Sequence, residues 1–311
     1  MPKQVTCLAG GVGAARFLQG LVKVVPEKQV AVIVNTGDDI EFHGLHISPD
    51  LDIVMYTLAD IVDEEKGWGI RGDTFDCLEM LESYDRETWF RLGDKDLATH
   101  IYRTLLLRSG GTLSEATAKI GGALGLSAEV LPMTDDKFAT KIMTNRGSLH
   151  FQEYLVKRRA QDKVVDVVFE GSERAEPAPG VVDSILNADT VIVCPSNPIV
   201  SIGTILSLRN VRDALRRTNA KITAISPIVG GAPIKGPADK LMQGLGLEVS
   251  AYAVACLYRD FLDFFILDNA DSAEKERIEE LGLNTVAMNT IMRSLKDKTE
   301  LAKAALEPDS L

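Results

Sequence analysis

The sequence predicts an α/β fold: a Rossmann-like, mostly parallel sheet core, flanked by helices, with a smaller, mainly helical insertion. Short apolar runs, typical of strands buried in a parallel sheet, alternate with helical patterns near both ends of the 311-residue chain. Between these ends, the pattern from about residue 60 to residue 125 is mostly helical. Loops rich in Gly, Ser, Asn, Asp or Pro follow strand ends at residues 10–13, 35–39, 195–198 and 226–236. Because the carboxyl ends of parallel strands meet at one edge of a sheet, these loops indicate a ligand site there.

These patterns divide the chain into three regions. Residues 1–60 form the first part of the core with its glycine-rich loop, residues 61–125 a helical insertion or lid, and residues 126–311 the remainder of the core. Strands are predicted at residues 5–9, 30–34, 129–131, 141–144, 150–156, 190–194, 221–225 and 264–267. Helices are predicted at residues 14–25, 49–62, 77–82, 89–108, 112–122, 181–187, 202–217, 274–281 and 291–305. The segment at residues 40–47 is predicted to be turn-like.

Composition limits the classes of partner. The net charge is −11 and the pI is about 5.0, whereas a nucleic-acid-binding protein normally needs a basic face. The four cysteines lie far apart without a CxxC motif, which favours a reduced, cytoplasmic protein. We expect neither a signal peptide nor a membrane-spanning segment, so the expected partners are small molecules. An acidic chain that binds phosphate must use local cations, backbone amides or a metal.

The first strand is followed at once by a glycine-rich turn. The run at residues 5–9 leads into Gly10-Gly11-Val12-Gly13, and a helix is predicted from Ala14. Glycines let the backbone turn tightly and approach a ligand, and the amides at a helix start face an anion. The turn is neither GxGxxG nor a Walker A motif, so a tight turn without a ligand is the alternative.

Four acidic residues surround the next strand end. Asp38 and Asp39 follow the run at residues 30–34, and Asp50 and Asp52 lie in the first turn of a helix whose predicted start is Ser48-Pro49. Carboxylate oxygens suit Mg²⁺, which would neutralise charge in phosphoryl chemistry. The alternative is that these acids only stabilise the helix dipole and a polar turn.

Other polar residues are candidates for substrate contacts. Ser196 and Asn197, at a later strand end, could donate hydrogen bonds to phosphate or ribose, and no GxSxG motif surrounds Ser196. His43 and His46 lie in a loop and do not make a zinc site, which leaves a substrate contact or a structural role.

Three further features have ordinary structural explanations. Trp89 and Phe90 could stack on a flat heteroaromatic ligand, but they could equally form a hydrophobic staple before a helix. Lys157-Arg158-Arg159 is the densest basic cluster of the chain, and a solvated strand end explains it at least as well as a phosphate contact. His100 is expected to be a structural histidine within a helix.

Taken together, these segments resemble the 2-phospho-L-lactate transferase family. The resemblance involves motifs that run in order from near residue 5 to beyond residue 240, so the combination is more specific than any single motif. The motifs are LAGGVGAAR at residues 8–16, VNTGDD at 34–39, HGLHISPDLD at 43–52, WFRLGD at 89–94, FQEYLV at 151–156 and CPSNP at 194–198.

The resemblance implies an activity and a cofactor. The family transfers a phospholactyl group from lactyl-2-diphospho-5'-guanosine to 7,8-didemethyl-8-hydroxy-5-deazariboflavin, which gives GMP and the first phospholactyl form of the F-420-type deazaflavin coenzyme. Some members use the phosphoenolpyruvyl analogue of the donor. The resemblance also implies a requirement for Mg²⁺, a Rossmann-like core with a smaller appended region, and a homodimer.

Carried onto this chain, the resemblance implies residue roles. It assigns Gly10, Gly11, Gly13, Ser196 and Asn197 to the guanosine diphosphate part of the donor. It assigns Mg²⁺ coordination to Asp38, Asp39, Asp50 and Asp52, and contacts with the deazaflavin acceptor to Asp50, His46, Trp89 and Arg91. Asp50 and Asp38 are the expected catalytic residues, and Asp50 is the candidate acceptor of the proton from the attacking ribityl hydroxyl.

Two other functions remain open at this stage. A related family of nucleotide-sugar-binding regulators, the gluconeogenesis factors, shares the glycine loop without being a transferase, and activity with the deazaflavin acceptor would separate the two. A dinucleotide-binding oxidoreductase is the third possibility, although the second strand lacks the usual ribose-binding acid of a GxGxxG unit. The sequence leaves open whether the donor carries lactate or enolpyruvate, because such a difference is small on the scale of a pocket.

Overall fold

In the computed structural model, which describes residues 4–310, the core is a seven-stranded sheet whose strands all run parallel. The strands of the chain are β1 (Val5–Ala9), β2 (Val30–Val34), β3 (Ile40–Phe42), β4 (Leu45–Ile47), β5 (Glu129–Pro132), β6 (Ala139–Thr144), β7 (Gly147–His150), β8 (Val164–Glu170), β9 (Thr190–Val193), β10 (Lys221–Ile225), β11 (Ile228–Val229), β12 (Ala232–Pro233), β13 (Phe264–Asp268) and β14 (Asn284–Met288). The order across the central sheet is β14-β13-β10-β9-β1-β2-β5. The α/β fold class predicted from the sequence is confirmed.

Helices cover both faces of the sheet. They are α1 (Gly11–Leu21), α2 (Pro49–Leu58), α3 (Asp76–Ser83), α4 (Asp94–Arg108), α5 (Leu113–Ala123), α6 (Val181–Leu186), α7 (Ile202–Ser207), α8 (Val211–Arg217), α9 (Ala238–Gly244), α10 (Ala251–Tyr258), α11 (Lys275–Glu279) and α12 (Leu295–Leu306). Helices α1, α2 and α12 bury one face of the sheet, and α6 to α10 cover the other. Among residues 4–310, every helix is too short or too polar to span a bilayer.

Strand β1 is an interior strand of the sheet, the fifth of seven, and it is completely buried. Its five residues are all buried, and it pairs with β2 on one side and β9 on the other. On the face covered by α1, Gly20 packs directly against α12: a Cβ there would lie 2.4 Å from the backbone of Lys298. Helix α1 and the loop before it therefore lie at the carboxyl end of an interior strand of the sheet.

Smaller sheets and helices surround the core. Strands β3 and β4 form a hairpin whose turn has His43 and Gly44 at positive φ, which corrects the prediction of a turn-like segment at residues 40–47. The antiparallel sheet β7-β6-β8 and the helices α3 to α5 lie outside the central sheet. Strands β8 and β14 were not predicted, since β8 is mostly exposed and β14 has one exposed, one buried and three half-buried residues.

Three predicted elements differ in the structure. Helix α4 begins at Asp94 rather than at residue 89, because Gly93 precedes it in an extended conformation. The predicted strand at residues 150–156 is wrong: β7 ends at His150, and Glu153–Lys157 form a π-helical turn. The single helix predicted at residues 202–217 is two helices, separated by Asn210 in the left-handed region, which asparagine tolerates better than most residues.

Candidate active site

One cavity of about 710 Å³ lies at the carboxyl edge of the central sheet. All four loops predicted to cluster there contribute to its wall: the glycine turn, the loop after β2, and the loops after β9 and β10. Of the residues given a role from the sequence, those that line the cavity are Gly10, Gly11, Gly13, Asp38, Asp50, Asp52, Trp89, Arg91, Ser196 and Asn197. Asp39 and His46 are not among the residues that line it.

The glycine turn packs directly against the loop after β9. A Cβ on Gly13 would lie 2.2 Å from the carbonyl oxygen of Pro195, and a Cβ on Gly10 would lie 2.6 Å from the Cβ of Ser201. The backbone N–H of Gly10 donates to Ser196 Oγ at 3.3 Å. Helix α1 starts at Gly11, with no side-chain cap from Gly10 and no acidic residue in its first turn, and the Gly11 amide faces the Asp50 carboxylate. Its first amides and its positive dipole end are therefore oriented toward the cavity, an arrangement suited to an anion.

Asn35 fixes the orientation of one carboxylate. Its Oδ1 accepts hydrogen bonds from the Gly37 amide at 2.8 Å and from Thr204 Oγ1 at 2.6 Å. Because the oxygen is used in this way, the Asn35 amide nitrogen points the other way and donates to Asp50 Oδ2 at 2.9 Å. Asp50 is thereby held at the start of α2, facing the glycine turn.

Asp38 and Asp50 are both buried and close enough to influence each other. Burial raises the pKa of Asp38 well above its usual value, and the charge of Asp50 raises it further, while a hydrogen bond from Asn35 opposes these effects. Burial likewise raises the pKa of Asp50 to about 7, against the lowering effect of the Asn35 hydrogen bond. Asp38 Oδ1 is buried and has no hydrogen-bond partner among the described residues. Two neighbouring carboxylates with a free buried oxygen are a donor set that fits a hard divalent cation.

One carboxylate oxygen of Asp39 is held by neighbouring side chains. Its Oδ2 accepts a hydrogen bond from Ser48 Oγ at 2.6 Å and lies 3.0 Å from His46 Nε2. Ser48 was expected to cap α2, but its side chain makes no cap hydrogen bond and binds Asp39 instead. His46 is held further by its backbone amide, which donates to Thr104 Oγ1 at 2.8 Å. This cluster therefore joins the β3–β4 hairpin to α2 and α4 beside the cavity.

Asp52 belongs to a buried network that the sequence did not reveal. Both oxygens of Asp52 contact Arg103, with Nη1 donating to Oδ2 at 3.1 Å and Nη2 donating to Oδ1. His100 Nδ1 lies 3.6 Å from Asp52 Oδ2, and His100 Nε2 lies 3.3 Å from Asp96 Oδ1. Tyr56 donates its hydroxyl to the same Asp96 oxygen at 2.7 Å. The network ties α4 of the insertion to α2 of the core.

The charges in this network are almost fully buried, and Arg103 has no exposed surface at all. Burial raises the pKa of Asp52, while the charges of Arg103 and His100 oppose that rise. The three side chains Asp52, Asp96 and His100 are close enough to share a metal ion, but the guanidinium already supplies a positive charge to them. One signal was present in the sequence: Asp96, His100 and Arg103 are spaced four and three residues apart, on one face of a predicted helix.

An aromatic cluster forms the side of the cavity nearest the insertion. Trp89 packs edge-on against Phe42 and Phe90, with ring centroids 5.1 and 5.7 Å apart. The indole N–H of Trp89 donates to Glu87 at 3.0 Å, and Lys157 Nζ lies 2.6 Å from the same carboxylate. The wall is continued by Phe151, Leu155 and Val156, which also line the cavity. This side is apolar and suits a flat ring system.

Of the cations considered in the sequence, Arg91 lines the cavity, whereas the basic cluster at residues 157–159 does not. Lys157 pairs with Glu87, and Arg158 pairs with Asp162 at 2.8 Å. The basic side chains that do line the cavity are Arg16, Arg91, Lys235 and Arg293. The sequence predicts a helix over 291–305, whereas α12 begins at Leu295 and residues 290–293 form part of the cavity wall before it. The sequence predicts the loop at 226–236 as a strand-end loop but assigns no role to any of its residues.

Comparison with known proteins shows sequence similarity over almost the whole chain. The sequence model of a family described as 2-phospho-L-lactate transferase CofD matches residues 5–305. The chain is 42% identical over 296 residues to the 2-phospho-L-lactate transferase of Methanosarcina acetivorans, covering 95% of this chain and 96% of that protein. It is also 42% identical over 310 residues to the phosphoenolpyruvate transferase of Streptomyces griseus, covering 98% of this chain and 98% of that protein.

A solved structure confirms the fold at lower sequence similarity. A protein of the UPF0052 family from Bacillus halodurans superposes with a TM-score of 0.67 at 15% identity, covering 99% of each chain. At that identity the likeness concerns the fold alone. The family match and the full-length relatives together show a transferase of the phospholactate and phosphoenolpyruvate class. The chain belongs to the 2-phospho-L-lactate transferase family.

Proposed function

We propose that this protein transfers a phospholactyl or phosphoenolpyruvyl group from the corresponding diphospho-5'-guanosine donor to 7,8-didemethyl-8-hydroxy-5-deazariboflavin, releasing GMP in a reaction that requires Mg²⁺. The observation that carries the proposal is that one cavity combines a buried carboxylate pair, an uncapped helix N-terminus and an apolar aromatic wall. Each part matches one chemical group of the reactants: the metal, the diphosphate and the deazaflavin ring.

Asp38 and Asp50 are the residues best suited to hold Mg²⁺. The free, buried Oδ1 of Asp38 supports a cation at this position. Asp52 is a weaker candidate because both of its oxygens contact Arg103. Asp39 also has a buried Oδ1 without a partner among the described residues, but it does not line the cavity, and its Oδ2 is shared by Ser48 and His46. Bound there, Mg²⁺ would offset the negative charge of the diphosphate.

The amino-acid side chains and backbone would carry the remaining steps. The first amides of α1 bind phosphate oxygens and orient the donor. The terminal ribityl hydroxyl attacks the phosphorus that bears the three-carbon acid, and the bond from this phosphorus to the GMP oxygen breaks. The hydroxyl proton passes to a carboxylate, and Asp50, which faces the start of α1 in the cavity, is placed to accept it. The aromatic wall excludes water from the acceptor ring, and positioning supplies much of the catalysis.

An assay of GMP release tests this function directly. The purified protein is incubated with the guanosine donor, and GMP is measured with and without the deazaflavin acceptor, and with and without Mg²⁺. We expect GMP only when both acceptor and Mg²⁺ are present. If the protein binds GMP or the donor but does not turn over, although both substrates are chemically correct, a regulatory nucleotide-binding protein is favoured instead.

The identity of the three-carbon acid needs a separate comparison. The chain is equally similar, at 42%, to a relative named for phospholactate and to one named for phosphoenolpyruvate. Measuring kcat/KM for the lactyl and the enolpyruvyl donor under the same conditions decides which one this protein prefers.

A further inference from the structure

Two cations from distant segments lie on the same cavity wall. Arg16 is on α1, five residues after its first residue, and Lys235 is on the loop between β12 and α9. Both line the cavity that holds the carboxylate pair. Lys235 Nζ lies 3.1 Å from the position that a Cβ on Gly67 would occupy, so the ammonium group sits against the loop that carries Trp68.

These two cations influence each other and have no carboxylate partner. Partial burial lowers the pKa of Lys235, and the positive charge of Arg16 lowers it further. Within residues 4–310, neither side chain forms a salt bridge or donates a hydrogen bond. Some other cations of the chain do have carboxylate partners: Lys157 contacts Glu87, and Arg212 contacts Asp260. Two neighbouring like charges without an anion are a position at which an anionic ligand is stabilised.

Their location relative to α1 indicates which anion. Helical side chains lean toward the N-terminus, so Arg16 can reach back over the uncapped first turn of its own helix. At that first turn, Asp50 faces Gly10 and Gly11: a Cβ on Gly10 would lie 3.0 Å from Asp50 Oδ2. If the attacked phosphoryl group lies beside Asp50 at the start of α1, the next phosphate of the donor remains within the cavity that Arg16 and Lys235 line.

We propose that Arg16 and Lys235 bind the phosphate that leaves with the nucleoside, an inference that rests on the proposed function. When the bond between the attacked phosphorus and the bridging oxygen breaks, that oxygen keeps the electron pair and the leaving nucleotide gains one negative charge. The two protein cations neutralise that charge, and no proton is needed on the leaving oxygen. They therefore act on nucleotide binding and on the rate of bond breaking, but not on the acceptor.

The test compares Arg16→Gln and Lys235→Gln with two matched surface variants, Arg217→Gln and Lys119→Gln. The control residues are exposed, carry the same charges and do not line the cavity. Binding of GMP, guanosine and pyrophosphate is measured by calorimetry, and kcat is measured with the full substrates. We expect each cavity variant to bind GMP and pyrophosphate roughly tenfold or more weakly and to lose kcat, with KM for the acceptor unchanged. The controls should behave as wild type, and Lys235→Arg should recover much of the lost affinity.

The outcomes separate this inference from the proposed function. Cavity variants that bind GMP and pyrophosphate as tightly as wild type would overturn the phosphate assignment, even in an active transferase. A wild-type protein that binds pyrophosphate through Arg16 and Lys235 but never releases GMP would overturn the proposed function and keep the anion site. Equal losses for GMP and for guanosine would also overturn the assignment, because guanosine has no phosphate to bind.

Discussion

Asp50 and Asp52 lie two residues apart in the first turn of α2, and their surroundings are opposite. Asp50 lies beside Asp38, and burial together with nearby negative charge keeps the pKa of both carboxyls high. Asp52 is held on both oxygens by Arg103, a guanidinium with no exposed surface. Both acids are buried and both line the cavity. The difference between them is the counter-charge, which only Asp52 receives from the protein.

This difference separates a binding position from a structural one. A buried carboxylate pair without a cation is unfavourable in isolation and becomes favourable when a divalent ion binds. A buried carboxylate that a guanidinium already saturates gains little from a second cation. The comparison therefore predicts that changes at Asp38 and Asp50 alter activity without loss of stability, whereas changes at Asp52 and Arg103 alter stability first.

The largest expected effect is on catalysis. Asp50→Asn should lower kcat by about 10²–10⁴-fold, because it removes the candidate proton acceptor and part of the metal site. Asp38→Asn should raise the Mg²⁺ concentration needed for half-maximal activity. Both are checked by steady-state kinetics over a range of Mg²⁺ concentrations.

The stability of the same variants is the control. Ionised Asp38 and Asp50 have raised pKa values, so at pH 7 without Mg²⁺ their charge opposes folding. The asparagine variants should therefore unfold at the same or a higher urea concentration than wild type in Mg²⁺-free buffer. Near-normal turnover by Asp50→Asn would contradict its proposed role, and a strongly destabilised variant would mean that this pair is structural as well.

The same contrast explains what the sequence could predict. The polar loops after β1, β2, β9 and β10 were placed correctly at one edge, because strand ends in a parallel sheet share that edge whatever the rest of the fold does. The glycine turn and Asp38 belong to local patterns and line the cavity as their position along the chain indicates, whereas Asp39 does not line it. By contrast, Arg103 lies 51 residues from Asp52, and no local pattern links them.

The elements that were missed depend on tertiary contacts. The sequence predicts a strand at residues 150–156, but Phe151 and Tyr154 are both buried in the core. Residues three apart point to the same side in a helical turn, whereas they point to opposite faces in a strand. Strand β14 completes the sheet edge through its pairing with β13, although its own sequence is only partly apolar. The residues at 290–293 line the cavity in the segment between β14 and α12, although the sequence predicts that the helix already begins at residue 291.

The next largest effect is on the buried ion pair. Arg103→Met leaves Asp52 without a counter-charge in a buried position and should lower the free energy of unfolding by about 3–5 kcal/mol. The double variant Asp52→Asn, Arg103→Met removes both charges and should recover a large part of that loss. Urea unfolding of the wild type, both single variants and the double variant measures the coupling. Additive losses would show that the two residues do not act as a pair.

A smaller effect is expected one contact further away. Tyr56→Phe removes the hydroxyl that donates to Asp96 at 2.7 Å and should cost about 1 kcal/mol of stability. His100 still faces the same Asp96 oxygen at 3.3 Å, so the carboxylate keeps one partner. Urea unfolding measures this cost, and a loss as large as that of Arg103→Met would mean that the whole network, rather than its central ion pair, holds α4 against α2.

The smallest effect comes from an ion pair that is open to solvent, at Asp260. The hydrogen bond from Arg212 lowers the pKa of Asp260 to about 2, against the smaller opposing effect of burial, and Arg216 Nε donates to the same carboxylate at 2.8 Å. Because the folded pKa lies below the unfolded value of about 3.9, the stabilisation is fully present above that pH and is lost as the pH falls toward 2.

Solvent screening reduces the energy of this exposed contact, so Asp260→Asn should cost less than about 1 kcal/mol at pH 7. Urea unfolding at pH 7, 4 and 2.5 measures the difference from wild type, which should shrink as the pH falls. Asp213→Asn, which removes one exposed contact with Arg216, is the matched control and should change stability less. A loss that stays constant with pH would assign the effect to packing. The Asp52–Arg103 pair is expected to stabilise the fold more than the Asp260 pair because it is buried. If Asp260→Asn lowered the free energy of unfolding as much as Arg103→Met does, that explanation would be contradicted.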